Sequence, residues 1–367
     1  MKLLLVTSVD PWVRSVASVH RLVAAGRVLR HEIFVYGEPN AQLPNLPFTT
    51  DLAGFDCAVF IMQVAWDLPD MPHLARLLDG IPRERRIAID MWGRFNDTIR
   101  LEHDFNHLEK LDGHAGWEWE EAFQAISDTI LQPTLAPLRP QGRSFLFHGY
   151  DQASLTAPRR TAREAAAAWA SKDYGAAYVG SNWQRWEQVR RFLEAYAPLR
   201  DKVGTVCLAG WDWNARPDWA VKMGLMGIDT DPALLARLAV EVRDGVRFDE
   251  VVGLLSRARF APIFHRPLFR HLGLVTNRTF ETFLADSLPV LMLPRDFVAA
   301  IYGEAALALV PGDDIAAHLD DALSRPESYW DAVLQTRSHL AKHHSYAQRL
   351  RELEALAKDS AKAEGAR

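Results

Sequence analysis

Apolar runs recur along the first half of the chain with the length and uniformity of strands covered on both faces: LLLVTS (3–8), EIFVYG (32–37), CAVFIMQV (57–64), RIAIDMW (86–92) and SFLFHGY (144–150). Between them stand amphipathic stretches such as VRSVASVHRLVAAG and MPHLARLLDGIP, in which apolar residues return every three or four positions. Runs that are apolar throughout, rather than alternating, suit a parallel sheet sandwiched between helices. The first half therefore reads as one α/β domain.

A break follows at TAPRRTAREAAAAWASK (156–172), where a Pro-Arg turn leads into an alanine-rich helix. The alternation then restarts with YGAAYVGSN (174–182), a helix from about Arg185 to Leu199, VGTVCLAGWDW (203–213), ALLARLAVEVRDG, RFAPIFH (259–265), a further helix, PVLML (289–293) and ALALVPG (306–312). The fold class expected is α/β, with two tandem Rossmann-like domains and a C-terminal helix crossing back to the first. The expected boundaries are 1–168, 169–328, a returning helical segment 329–357 and a disordered tail 358–367. A ligand cleft between two such domains is the natural expectation.

Composition narrows the classes without choosing among them. The chain has 367 residues, 49% hydrophobic and 24% charged, with a formal net charge of −5 and basic residues scattered throughout, so no nucleic-acid footprint is expected. The opening MKLLLVTSVDPW is too short in its apolar part for a signal or spanning segment, so the expected location is the cytoplasm. Two cysteines, Cys57 and Cys207, sit inside apolar runs and read as buried thiols. The tryptophan pairs 117/119 and 211/213 would each share a face if they lay in strands, giving flat aromatic surfaces for core packing or for stacking on a sugar or base.

In parallel sheets ligands bind beyond the carboxyl ends of the strands, which points to Ser8, Asp10, Gln63, Asp90, Gly93, Arg94, His148 and Gly149 in the first half. In the second half the same rule points to Gly180, Ser181 and Asn182, to Gly210, Trp211 and Asp212, to His265 and Arg266, and to the helix start at Thr276. The stretch TNRTFETFLADSLPVLMLP, from Thr276, is the most specific of these: a polar start, an apolar stripe (Phe280, Phe283, Leu284, Leu288), a proline and an apolar strand. A helix N-terminus favours phosphate, and Arg278 would add a forked cation. Arg278 and Glu281, three apart, fit equally well an exposed ion pair of about 0.2–0.5 kcal/mol.

The segment VTNRTFETFLADSLPVLMLPRDFVAAIYG, with HSYAQRLREL downstream, resembles the carboxyl-terminal domain of glycosyltransferases of the two-Rossmann GT-B type, in particular the group of the spore-maturation CgeB-like proteins. The likeness covers roughly the last 110 residues; the first half matches only in its α/β pattern. The resemblance implies sugar transfer from a nucleotide-diphosphate sugar bound mainly by the second domain. It places Glu281 on the ribose hydroxyls, Thr276, Asn277 and Arg278 toward the diphosphate, His265 and Arg266 at sugar or phosphate, and Gly180 with Asn182 at the interdomain mouth, with Trp211 and Thr279 as further donor-binding candidates. It also implies that no cofactor or metal is needed, the diphosphate being held by cations and helix N-termini. Ser287 departs from the pattern, standing where the family usually has glycine.

The acceptor, whether saccharide, lipid, protein or small metabolite, is not specified by these residues. An inverting enzyme needs a general base near the acceptor hydroxyl, and Asp10, Asp90 and His148 are the candidates, with Asp97 behind them. Asp10 precedes a proline and also reads as a turn former. His103 and His107, four apart, have the spacing of a zinc pair but no third ligand. Two alternatives stand beside the transferase: a sugar-nucleotide epimerase on the same scaffold, and a two-lobed small-molecule binding protein without catalysis.

Overall fold

The computed structural model describes residues 1–12, 16–62, 71–96, 99–101, 108–110, 117–156, 160–222 and 227–365. The candidates Gln63, Asp97, His103 and His107 lie outside them. The chain forms two compact units. The first comprises Met1–Gly149, Leu272–Asn277 and Ser345–Arg367; the second comprises Tyr150–His271 and Arg278–His344.

In the first unit the strands are β1 (Lys2–Val6), β2 (Glu32–Tyr36), β3 (Phe48–Thr49), β4 (Cys57–Met62), β5 (Arg86–Asp90), the pair β6 (Ile99–Leu101) and β7 (Leu108–Lys110), then β8 (Thr129–Gln132) and β9 (Gly142–Ser144). Seven of them make one sheet in the order β3-β2-β1-β4-β5-β8-β9, every pairing parallel, while β6 and β7 form a separate antiparallel ribbon. All residues of β4 and β5 are buried, as the uniformly apolar runs require. Leu4, Val6, Phe60, Met62 and Ala88 meet Phe95, Phe123 and Ile126 in the core on one side of the sheet. The terminal helix Tyr346–Gly365 packs on helix Val16–Val28 within this unit. The short segment Leu272–Asn277 joins the same unit, with Val275 N–H donating to the carbonyl of Pro133 at 2.7 Å.

The second unit contains β10 (Tyr174–Val179), β11 (Val206–Ala209), β12 (Glu241–Arg243), β13 (Ala258–Ile263) and β14 (Leu288–Leu291). They form a parallel sheet in the order β12-β11-β10-β13-β14. Each sheet thus reverses its strand order once, between β1 and β4 in the first and between β10 and β13 in the second. In sheets of this type ligands bind beyond the carboxyl ends of the strands at that reversal. The α/β class with two Rossmann-like units and a C-terminal helix belonging to the first is what the hydrophobic pattern predicts.

Several local expectations differ. Phe145–Gly149, read as part of a strand, leaves the sheet after Ser144. Ala306–Leu309, read as a strand, lies in a 3-10 helix, Glu304–Leu309; alanine and leucine without β-branched residues favour helical backbone. Trp117 and Trp119 fall on helix Trp117–Ile126 rather than in a strand, and Trp211 and Trp213 share no face: Trp213 is 1% exposed and Trp211 41%. The single terminal helix is two, Pro326–His343 and Tyr346–Gly365, and the second runs through most of the stretch expected as a disordered tail. The helix opening at Asn277 ends at Glu281, although Phe283, Leu284 and Leu288 are buried as the stripe requires. Its early end has a side-chain cause: Arg337 donates to the carbonyls of Phe283 at 2.8 Å and Ala285 at 2.7 Å. Carbonyls released from the helix thereby gain a charged donor.

Candidate functional site

At the carboxyl end of β10 the chain turns through Gly180, with φ +156°, and at that of β11 through Gly210, with φ +143°. A Cβ on Gly210 would press into the Gly180 carbonyl and stand 3.0 Å from Ser181 N, so the close approach of these two turns needs glycine. Asn182, fully buried, stitches the neighbouring loops: its N–H donates to Trp211 O at 2.9 Å, and its side-chain amide donates to Asp212 O at 2.9 Å and Asp229 O at 3.0 Å. Gln184 (φ +53°) and Asp212 (φ +67°) take left-handed conformations there. Such backbone costs of order 1 kcal/mol or more and is held by its surroundings. Trp211 lies over Gly245 and remains partly open to solvent.

Helix Trp186–Tyr196 begins at Arg185 without a side-chain cap. Arg185 instead donates to Ser181 O at 3.0 Å and Trp183 O at 3.3 Å, and its Nε has no partner. From the first turn of this helix Gln188 donates to the carbonyl of His265, at the carboxyl end of β13. His265 is 2% exposed. Burial first, then the arginines 185, 270 and 266, push its imidazole from the ordinary 6.5 down to about 3, so the ring is neutral at working pH. His265 Nε2, Gln188 Oε1 and Asn182 Oδ1 are all buried without hydrogen-bond partners. Orphaned buried polar atoms are rare in folded proteins. Four of them, counting Arg185 Nε, gather at the reversal of the second sheet. Arg266, also buried, stacks its guanidinium over the ring of Phe269 at 4.1 Å.

The same edge receives the Arg-x-Phe-Glu stretch. Arg278 Nε donates to the carbonyl of Val179, the last residue of β10, at 2.6 Å, and Arg278 Nη1 pairs with the Glu281 carboxylate. With Glu281 2% exposed, this is not the exposed ion pair that spacing also permits. Thr279 is fully buried, whereas Thr276 is half-buried. Asn277 is engaged inside the first unit, its Oδ1 accepting from Ser18 Oγ at 2.6 Å. A helix of five residues carries little macrodipole, so the positive charge at this edge is that of the arginines. Ser287 is fully buried with an unpartnered hydroxyl, so this position tolerates a small side chain in close packing. Its neighbour Asp286 is fixed by Arg160 at 2.7 Å and Lys172 at 2.9 Å.

In the first unit the three carboxyl-edge candidates have different environments. Asp90 is fully buried at the end of β5 and accepts from the N–H groups of Phe95 at 2.8 Å, Arg94 at 3.0 Å and Trp92 at 3.3 Å, and from the Gln132 amide at 3.1 Å. Burial raises its carboxyl, and those donors oppose the rise. Geometrically it organises the 91–96 loop. Asp10 is half-buried and accepts from Trp12 N–H at 2.8 Å, the turn that Asp-Pro predicts. His148 is 4% exposed, with Nδ1 2.8 Å from Ser18 Oγ and its backbone carbonyl accepting from Arg349 Nε at 3.3 Å. Both cysteines are buried, with thiols raised by burial to about 12 for Cys57 and about 11 for Cys207. Among the described residues no group of three or more His, Cys, Asp or Glu stands placed to hold a metal ion. Nor is any described helix long and apolar enough to cross a membrane.

Sequence reasoning missed Arg185, Gln188, Ser18 and Tyr346. Arg185 had a signal, a cation five residues past a strand-end glycine; Ser18 had none, being one small residue inside an apolar helical stripe.

No family model matches the chain, and no curated protein matches its sequence. Solved structures do match its fold. An α-glucosyltransferase in complex with UDP and a 13-mer DNA is 11% identical with a TM-score of 0.60, covering 97% of this chain and 99% of its own. A glycosyltransferase from Rickettsia africae is 10% identical with a TM-score of 0.55, covering 98% of each chain. BGT of T4 phage, in complex with UDP and Mn2+, is 11% identical with a TM-score of 0.54, covering 97% of this chain and 99% of its own. The fold is that of the GT-B glycosyltransferases, two Rossmann-like units in tandem along nearly the whole chain.

Proposed function

We propose that this protein is a glycosyltransferase that moves a sugar from a nucleotide-diphosphate sugar to an acceptor hydroxyl. The observation that carries the reading is the convergence, at the strand-order reversal of the second sheet, of a buried carboxylate (Glu281) and an anchored guanidinium (Arg278) with the four unpartnered polar atoms around His265. A carboxylate accepts two hydroxyl donors, as a ribose edge offers. Arg278, Arg185 and Arg266 supply charge for a diphosphate, and the neutral His265 can hydrogen-bond a sugar or phosphate oxygen without adding charge. Gly180, Asn182 and Trp211 shape the adjoining loops, and Thr276, Asn277 and Thr279 flank Arg278.

On the acceptor side the first unit offers Asp10, Asp90 and His148 as bases. The oxygens of Asp90 already accept from four donors in its own unit, so Asp10 and His148 are the base candidates to test first. A net charge of −5 favours an acceptor other than DNA. The resemblance of the last 110 or so residues to the CgeB-like group fits this reading, and the arginines make a transferase without a bound metal the form to test first.

Because two of the similar structures hold UDP, UDP is the first probe, with GDP and dTDP beside it. Isothermal titration should show one of them binding, and slow hydrolysis of the matching nucleotide sugar should follow. Binding should be retained in EDTA. Absence of binding to all three, or binding unchanged in Glu281→Ala, would sink the reading. Turnover of the donor without acceptor or water would instead indicate epimerisation.

A further inference from the structure

Between the Arg-x-Phe-Glu stretch and β14, the backbone of the second unit is held by side chains from elsewhere in that unit. The helical ladder tightens as helix Asn277–Glu281 ends: Thr282 N–H reaches Arg278 O at 3.4 Å, whereas Phe283 N–H and Leu284 N–H turn to nearer carbonyls, Phe280 at 3.1 Å and Glu281 at 3.0 Å. Continued as an α-helix, the chain would aim Phe283 O at Ser287 N–H and Ala285 O at Pro289, which has no N–H to give. One guanidinium takes both carbonyls instead, Arg337 Nε–H donating to Phe283 O at 2.8 Å and Nη2–H to Ala285 O at 2.7 Å. Leu284 O, between them, accepts from Thr156 N–H at 3.4 Å, and Asp286 N–H donates to Ser256 Oγ at 2.9 Å. Arg337 is buried on helix Pro326–His343, its guanidinium 5.7 Å from the ring of Trp330, two turns earlier on the same face.

We propose that Arg337 is a positioning residue for the carboxylate of Glu281: by taking the Phe283 and Ala285 carbonyls it stops the helix at Glu281 and fixes the backbone that presents this carboxylate at the donor site. The carboxylate is then held from two sides. Upstream, Arg278 pairs with it and is fastened to Val179 O at the end of β10. Downstream, the Glu281 carbonyl accepts from Leu284 N–H, inside the segment that Arg337 clamps. Two carbonyls in this arrangement match the parallel N–H groups on one edge of a guanidinium, a match that lysine, a point charge on a flexible stem, does not offer. For its effect on ligand binding the proposal rests on the glycosyltransferase reading; its geometry lies within the second unit alone. Arg337 acts only through the backbone, so its loss should displace Glu281 without removing a ligand contact.

The test is a double-mutant cycle on the full chain, read by calorimetry with the nucleoside diphosphate that binds wild type, UDP first. Arg337→Met removes both donors and should weaken binding on the order of tenfold, because a small displacement of a positioned group is costly. Arg337→Lys keeps the charge but not the fork, should show a loss of the same order, and serves if Arg337→Met does not fold. In the Glu281→Ala background the same changes should alter affinity by less than about twofold, since the group they position is gone. Equal losses in the two backgrounds would make Arg337 a general support of the unit and overturn the proposal, as would wild-type affinity in both Arg337 variants. A second arm needs no ligand: the 13Cδ resonance of Glu281 should shift in Arg337→Lys together with the amides of residues 283–286. Movement of those amides with the Glu281 carboxyl carbon unchanged also overturns the assignment. Should wild type bind none of UDP, GDP and dTDP while the Glu281 carbon moves as stated, the glycosyltransferase reading fails and the positioning of Glu281 by Arg337 stands.

Discussion

Arg278 reaches across 99 positions of sequence to donate its Nε–H to the carbonyl of Val179 at 2.6 Å, so the residue that opens the Arg-x-Phe-Glu stretch is fastened to the end of β10. With Nη1 on Glu281, that single guanidinium fixes where the buried carboxylate stands relative to the sheet.

Glu281→Ala should therefore lower both stability and ligand binding. Removing the carboxylate leaves a partly buried guanidinium short of a partner, at a cost of about 1–3 kcal/mol in urea unfolding. UDP affinity should fall at least tenfold by calorimetry, because the ribose loses its acceptor. Glu281→Gln keeps the volume and should restore part of the stability but not the affinity.

The neutral, buried imidazole of His265 makes stability depend on pH in one direction. Its ordinary value of 6.5 applies to the unfolded chain and about 3 to the folded one, so below 6.5 the unfolded chain takes up a proton that the folded one refuses. The contribution is intact above pH 6.5 and is lost as pH falls toward 3, at about 1.4 kcal/mol per pH unit. Urea midpoints at pH 7, 6 and 5 should decline more steeply in wild type than in His265→Gln. Equal slopes would remove this assignment.

Asp90 gathers four donors onto one carboxylate, and its loss should be felt as loss of the 91–96 loop. Asp90→Ala should cost about 3 kcal/mol and speed hydrogen exchange at the amides of Arg94 and Phe95. Asp90→Asn, which keeps one oxygen, should cost less than half as much. A catalytic role without this structural one would reverse the order, with Asp90→Asn inactive and fully stable.

Gly210→Ala places a methyl group against the Gly180 carbonyl at a positive φ, and should destabilise by about 2 kcal/mol or more. Gly253→Ala, in helix Val251–Ser256 with open space around it, is the matched control and should be neutral or slightly stabilising.

Local sequence carries much of the fold. Uniformly apolar runs such as CAVFIM and YGAAYV announce doubly covered strands, and each lies wholly buried. The Thr161–Glu164 capping box that starts helix Ala162–Trp169 can be read directly from TARE. Position at a strand end is also enough to single out Asn182, His265 and Arg266. What local sequence hides depends on distant partners. Nothing nearby tells that Arg337 will end a helix at Glu281, that the β5 carboxylate of Asp90 will be closed in by its own loop, or that Asn277 will turn to Ser18. ALAL resists assignment because a short apolar run has no period that separates strand from helix.

The margins of the two sheets have a consequence for how the protein behaves at high concentration. The outer strands β3, β9 and β12 are only two or three residues long, and β12 shows solvent the charged side chains of Glu241 and Arg243. The remaining outer strand, β14, is wholly buried and contains Pro289, which has no N–H to offer. Among the described residues of these two parallel sheets, an incoming strand would find too few free backbone groups in register to dock on any of the four, which disfavours edge-to-edge stacking there.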